Sequence, residues 1–140
     1  MRILAVSAIA VAFGLLGCTL AMSITGFFEG TDWLYLLAGS GVSSLLLWFT
    51  AACLIRSRSR GSYMLVGVVS PLIGFPIAAF FAVTFYGGID SIGRLLSNIS
   101  GAFAYSIYLV PIASFLIPFG ILMGWISGKI MVPDKAEDAS

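Results

Sequence analysis

The segment Gly101–Val132, GAFAYSIYLVPIASFLIPFGILMGWISGKIMV, decides how this chain can fold. No charged residue occurs between Arg94 and Lys129, a stretch longer than the ~20 apolar residues that a bilayer-spanning helix needs. The segment therefore predicts a membrane helix, which we place at residues 102–130.

Three glycines recur at intervals of four within this segment, at Gly120, Gly124 and Gly128. Residues spaced by four lie on one face of a helix, so these glycines predict a smooth groove along three turns. In a membrane, grooves of this kind allow another helix backbone to approach closely. We expect the glycine row to be a helix-packing or interface site.

The composition of the whole chain agrees with a membrane protein. Of the 140 residues, 60% are hydrophobic and only 9% are charged, and a soluble core of this size cannot bury so much apolar surface. The length allows one domain. We predict an all-α integral membrane protein, with a transmembrane domain at residues 1–132 and a short polar cytoplasmic tail at 133–140.

Four apolar segments predict four transmembrane helices, at about residues 3–28, 33–55, 63–86 and 102–130. Before the fourth, apolar residues recur at helical spacing while Arg94, Ser97 and Asn98 fall on the opposite side. This pattern predicts a short amphipathic helix at the outer interface, with Asp90 as its N-cap. The predicted fold is a bundle of four transmembrane helices with this interfacial helix before the fourth.

The basic residues predict the orientation of the chain. Only Arg94 falls on one side of the predicted membrane, and the other six lie on the opposite side: Arg2, Arg56, Arg58, Arg60, Lys129 and Lys135. By the positive-inside rule both termini are cytoplasmic. We expect the protein to reside in a bacterial cytoplasmic (inner) membrane.

The first helix has an alternative interpretation. Leu15-Leu16-Gly17-Cys18 resembles the lipobox of a bacterial lipoprotein signal, and cleavage before Cys18 would leave a lipidated protein with three spans. The leucine directly before Gly17 is not the usual small residue, and the apolar run continues to Phe28. A full span is too long for a signal-peptide core, so the sequence favours a retained helix.

Small residues also recur at helical spacing in the other predicted helices. Helix 1 carries Gly14 and Gly17, and helix 3 carries Ser70, Gly74 and Ala78. We expect these rows to be seams inside the bundle, with an interface to another protein as the alternative. Kinks are expected at the prolines of helices 3 and 4, because each removes a backbone hydrogen bond: Pro71, Pro76, Pro111 and Pro118.

The composition also argues against several kinds of site. The chain has no histidine, and both cysteines, Cys18 and Cys53, lie in apolar runs, so we expect no catalytic, cofactor-binding or metal-ligating residues. The net charge of +1 argues against nucleic-acid binding. No charged residue lies in the middle of a predicted span, whereas proton-coupled and cation-coupled carriers usually have one.

These observations favour a non-enzymatic polytopic membrane protein that acts through lateral helix–helix contacts. In that interpretation it is an accessory, regulatory or immunity-type partner of another integral membrane protein. The alternative is a homo-oligomeric channel or facilitator lined by the glycine row of the fourth helix. The expected partners are the lipid bilayer and either another membrane protein or a second copy of this chain.

Overall fold

A computed structural model describes residues 1–25, 32–55 and 59–132 of the chain. These residues form five α-helices: α1 (Arg2–Thr25), α2 (Asp32–Ile55), α3 (Arg60–Gly87), α4 (Ile92–Phe115) and α5 (Ile117–Met131). The predicted all-α class is confirmed for this part of the chain. The predicted tail at 133–140 and the end of the first predicted span, 26–28, lie outside the described residues.

Three helices are long and apolar enough to cross a membrane. They cover Arg2–Ile24, Asp32–Ile55 and Arg60–Gly87, with mean hydropathies of 2.4, 1.7 and 2.1. At 1.5 Å per residue, even the shortest is longer than a ~30 Å hydrocarbon core. The structure thus agrees with an integral membrane protein that has these three helices as candidate spans.

The predicted fourth helix is divided between α4 and α5. The structure has no separate interfacial helix among its described residues, because the predicted amphipathic segment forms the first turns of α4. α4 ends at Phe115 with Leu116 as its C-cap, and the backbone N–H of Leu116 donates to Ala113 O at 3.0 Å. α5 begins directly afterwards, where Gly120 N donates to Leu116 O at 3.0 Å. Pro118 explains this break, since it has no N–H for the carbonyl four residues earlier and suits a first helical turn.

The other three prolines lie inside helices without ending them. Pro71 and Pro76 are interior residues of α3, and Pro111 is an interior residue of α4. Serine side chains cap the N-termini of α3 and α4. Ser59 Oγ accepts a hydrogen bond from Ser62 N, and Ser91 Oγ accepts one from Arg94 N, each at 3.2 Å. Ser91, rather than the predicted Asp90, is therefore the N-cap of α4.

Four helices form a closed ring. α1 packs on α2, α2 on α3, α3 on α5, and α5 returns to α1, whereas α4 packs almost entirely against α3. The main buried cluster lies where α1 and α3 begin and α2 and α5 end, and comprises Val6, Ala10, Trp48, Ala52, Tyr63, Met123 and Met131. Both described ends of the chain therefore contribute to one core.

Candidate functional site

The closest helix contact joins α3 to α5 through four glycines, which we call the glycine seam: Gly67, Gly120, Gly124 and Gly128. A methyl group on Gly120 would overlap the carbonyl group of Gly67, and a methyl on Gly67 would overlap that of Gly120. A methyl on Gly124 would lie 2.8 Å from Met64 Cα. The two helices are farther apart at Gly128, where an added methyl group would lie 3.4 Å from Arg60 Cα. Backbone therefore packs on backbone over most of α5.

Pro71 contributes to this contact by leaving a carbonyl group free. In a regular helix the nitrogen of residue 71 would donate to Gly67 O, but proline has no N–H. Ser70 Oγ donates to that oxygen instead, at 3.1 Å. Ser70 thus satisfies a polar atom in an apolar environment, where an unpaired carbonyl group is costly.

Small residues also form the contact between α2 and α3. A methyl group on Gly39 would overlap the carbonyl oxygen of Ala78 and lie 3.0 Å from Ala82 N. One turn further on, Ser43 Oγ donates to Gly74 O at 2.9 Å. A short polar side chain here links two helices by a hydrogen bond, which lipid cannot replace.

A third small-residue contact lies between α1 and α2. A methyl group on Gly14 would overlap Ser44 Oγ and lie 3.3 Å from Ser40 O. The neighbouring Gly17 faces the side chain of Leu116, whose Cδ1 would lie 3.6 Å from an added methyl. The break between α4 and α5 therefore packs directly on α1.

Behind these contacts lies a central cavity of about 110 Å³. Its walls come from α1, α2, α3, Leu116 and the first half of α5, and none of the described residues that line it is charged. Its polar side chains are four serines and a cysteine: Ser40, Ser43, Ser44, Ser70 and Cys18. The cavity lies beside two irregularities of the backbone, at Pro71 and at Leu116.

The glycines predicted as packing residues, and Ala78 with them, all face other helices of the same chain. Gly120, Gly124 and Gly128 face α3, Gly14 faces α2, and Gly17 faces Leu116. Gly74 faces Ser43 in α2, and Ala78 contacts Gly39 through its carbonyl group. In this arrangement the glycine row of α5 packs on α3, and Gly120 also lies among the residues that line the central cavity.

Sequence reasoning missed a small-residue face on α4, which we call the outward face: Ser97, Ser100, Gly101 and Ala104. All four residues are exposed, and a methyl group on Gly101 would have no neighbour within 4 Å in the described part of the chain. The opposite side of α4 is buried through Asn98, Ala102, Ser106 and Ala113. The intervals of three and four between 97 and 104 are the signal that could have identified this face.

Two polar residues predicted to face solvent from an interfacial helix instead contact the end of α3. Arg94 Nη2 donates to Gly87 O at 3.2 Å, and Asn98 Nδ2 donates to Gly88 O at 3.4 Å. Carbonyl groups at a helix C-terminus lack partners within the helix and carry partial negative charge. Arg94 and Asn98 thus fasten α4 to the C-terminus of α3.

Acidic and sulfur-containing side chains do not cluster in the described parts of the chain. Among those residues, no group of three or more His, Cys, Asp or Glu side chains could hold a metal ion. Cys18 is buried, Cys53 is exposed, and both thiols are free. Comparisons with protein-family models, curated proteins and solved structures found no match to this chain.

Proposed function

We propose that this chain is a non-enzymatic polytopic membrane protein that acts through lateral helix–helix contacts. It serves as an accessory, regulatory or immunity-type partner of another integral membrane protein. Its partner helix packs on the outward face of α4.

The outward face of α4 is the observation that carries the proposal. Close helix contacts in lipid depend on small residues, because lipid supplies no hydrophobic force between helices. The small-residue contacts of α1, α2, α3 and α5 are made within the chain. The outward face has the same residue types, yet it is exposed and Gly101 has open space before it. It is a helix-packing surface on which none of the described helices of this chain packs.

We also propose that the chain crosses the membrane four times, with α4 and α5 together forming the last crossing. α4 begins beside the C-terminus of α3, since Arg94 contacts Gly87. α5 ends beside the N-terminus of α3, since Gly128 faces Arg60. The α4–α5 segment thus returns along the whole length of a helix that can span a bilayer, and the positive-inside rule then favours cytoplasmic termini.

The experiment is co-purification in mild detergent with Gly101→Ile, which adds a β-branched side chain to the outward face. We expect this variant to lose a partner that the unchanged protein retains, while its thermal stability is unaltered. The matched control is Ile107→Leu, which conserves volume at an exposed apolar position of the same helix. A partner that stays bound to the Gly101→Ile protein would refute the assignment of this face.

A facilitator or homo-oligomeric channel is the second candidate, and the central cavity is the observation that favours it. In many transporters the substrate site lies beside broken helices, and this cavity adjoins Pro71 and the α4–α5 break. The glycine row of α5 faces α3, and of its three glycines Gly120 is the one among the residues that line the cavity. Solute flux in reconstituted vesicles, with no co-purifying partner, would favour this candidate over the first.

A further inference from the structure

The central cavity has the features of a small binding site inside the ring of helices. Residues of α1, α2, α3 and α5 and of the α4–α5 break converge on it. Trp48, Ala79 and Met123, which line the cavity, are each at most 4% exposed, so its wall is firmly held. Neither the lateral contacts proposed for α4 nor the helix seams require this space.

Three of the four serine hydroxyl groups in its wall donate to backbone carbonyl groups, which leaves them able to accept hydrogen bonds from a ligand. Ser43 Oγ donates to Gly74 O at 2.9 Å, Ser70 Oγ to Gly67 O at 3.1 Å, and Ser40 Oγ to Leu37 O at 3.0 Å. Each hydroxyl has a single proton, which these bonds occupy, but its two lone pairs remain available as acceptors. A molecule that donates a hydrogen bond therefore finds an acceptor at three of the four serines that line the cavity.

The same wall disfavours a charged ligand. Among the described residues, no acidic or basic side chain lines the cavity. An ion placed there would lose its hydration without gaining a counter-charge, which costs far more than burying a neutral polar group. The matching ligand is uncharged.

The volume limits the size of the ligand. An apolar cavity of ~150 Å³ holds benzene, and the central cavity measures about 110 Å³. A molecule of about three to five non-hydrogen atoms therefore fits. Most of the lining side chains are apolar, so the body of such a molecule is apolar as well.

We infer that the central cavity is a binding site for a small uncharged molecule with one hydrogen-bond donor and a short apolar body. Short-chain alcohols belong to this class. The site is independent of the outward face of α4, so either assignment can fail without the other.

The test is a titration of the purified protein with 1-propanol in deuterated detergent, followed by NMR of the methionine methyl groups. Met123 lines the cavity, whereas Met131 is buried at the end of α5 and does not. We expect the Met123 methyl signal to shift and saturate while the Met131 signal does not. Similar, unsaturable shifts of both signals would show general partitioning into the micelle and would overturn the inference.

Two further comparisons test the chemistry of the site. Ethyl methyl ether is an isomer of 1-propanol without a donor, and we expect it to bind about fivefold more weakly, the factor for one neutral hydrogen bond. Ser44→Leu, which fills the cavity, abolishes the saturable shift, whereas Ser23→Leu on the exposed side of α1 leaves it intact. Equal affinity for the two isomers in the unchanged protein would refute the donor requirement, even if Ser44→Leu did not fold.

Discussion

The carbonyl group of Gly67 lies where a side chain on Gly120 would be, and the carbonyl group of Gly120 lies where a side chain on Gly67 would be. This reciprocal contact brings the backbones of α3 and α5 together across 53 positions of sequence. Contacts this close allow van der Waals attraction and Cα–H···O interactions to accumulate where lipid offers no hydrophobic force. The contact therefore requires glycine on both helices.

The first prediction compares two glycines in α3. A methyl group on Gly67 would meet backbone atoms of α5, whereas one on Gly74 would lie 3.6 Å from Ser43 Oγ, an ordinary contact distance. We expect Gly67→Ala to lower the free energy of unfolding by ~1–3 kcal/mol through overpacking. Gly74→Ala should be neutral or slightly stabilising, because alanine favours helix by up to ~1 kcal/mol over glycine. The free energy of unfolding in detergent checks both variants. Equal changes in the two would contradict the close backbone contact at Gly67.

The second prediction separates the internal seam from the partner surface. Gly124→Ile places a β-branched side chain against Tyr63 and Met64, so it should destabilise the fold by ~1–3 kcal/mol. Any partner should still bind the folded fraction. Gly101→Ile should do the opposite, reducing association without changing the melting temperature. The two measurements are thermal unfolding and co-purification, and loss of association from folded Gly124→Ile protein would contradict this division.

The third prediction concerns Arg60, whose Nε and Nη2 donate to Val132 O at 3.1 and 3.0 Å. These bonds hold the C-terminal turn of α5 against the first turn of α3. Arg60→Ala should lower the free energy of unfolding by about 1 kcal/mol. Charge-assisted hydrogen bonds contribute ~1.5–3 kcal/mol, and the partial exposure of this side chain reduces that contribution. Amide hydrogen exchange should quicken near Val132. Arg2→Ala is the control. An unchanged rate of amide hydrogen exchange near Val132 in Arg60→Ala would show that Arg60 does not hold the C-terminal turn of α5.

The fourth prediction is the topology. In a variant with Cys18 and Cys53 replaced by alanine, Thr31→Cys should react with a membrane-impermeant thiol reagent in intact cells. Arg58→Cys should react only after the cells are opened. Both sites lie outside the described residues and follow from the charge distribution alone. The reverse labelling pattern would show that the termini face outward.

The fifth prediction is that residues 1–17 stay attached to the rest of the chain. Val6 and Ala10 are at most 1% exposed and belong to the main core cluster, so cleavage before Cys18 would remove part of that core. We expect the intact mass of the purified protein to include these residues. A mass lacking them, with a lipid on Cys18, would support the lipobox interpretation.

The sequence by itself determined the class of the protein and the existence of its apolar helices. Composition requires membrane burial of so much apolar surface, and runs of apolar residues without charge predict helices because lipid leaves backbone groups no other partners. The sequence also predicted the glycine row of α5, because residues spaced by four share a helix face whatever the tertiary structure is. The ends of the helices were predicted less accurately: the N-cap of α4 is Ser91, whereas the sequence predicted Asp90.

Only the tertiary structure decided what the small residues face. A row of glycines predicts a close contact but does not name the opposite helix, and here Gly120 meets Gly67 of the same chain. The outward face of α4 stayed hidden in sequence because its polar residues also suit an interfacial helix. Whether Pro118 bends a helix or divides it depends on neighbouring packing, and Leu116 resting on Gly17 accompanies the division here. These outcomes depend on contacts between distant segments, which local sequence patterns do not specify.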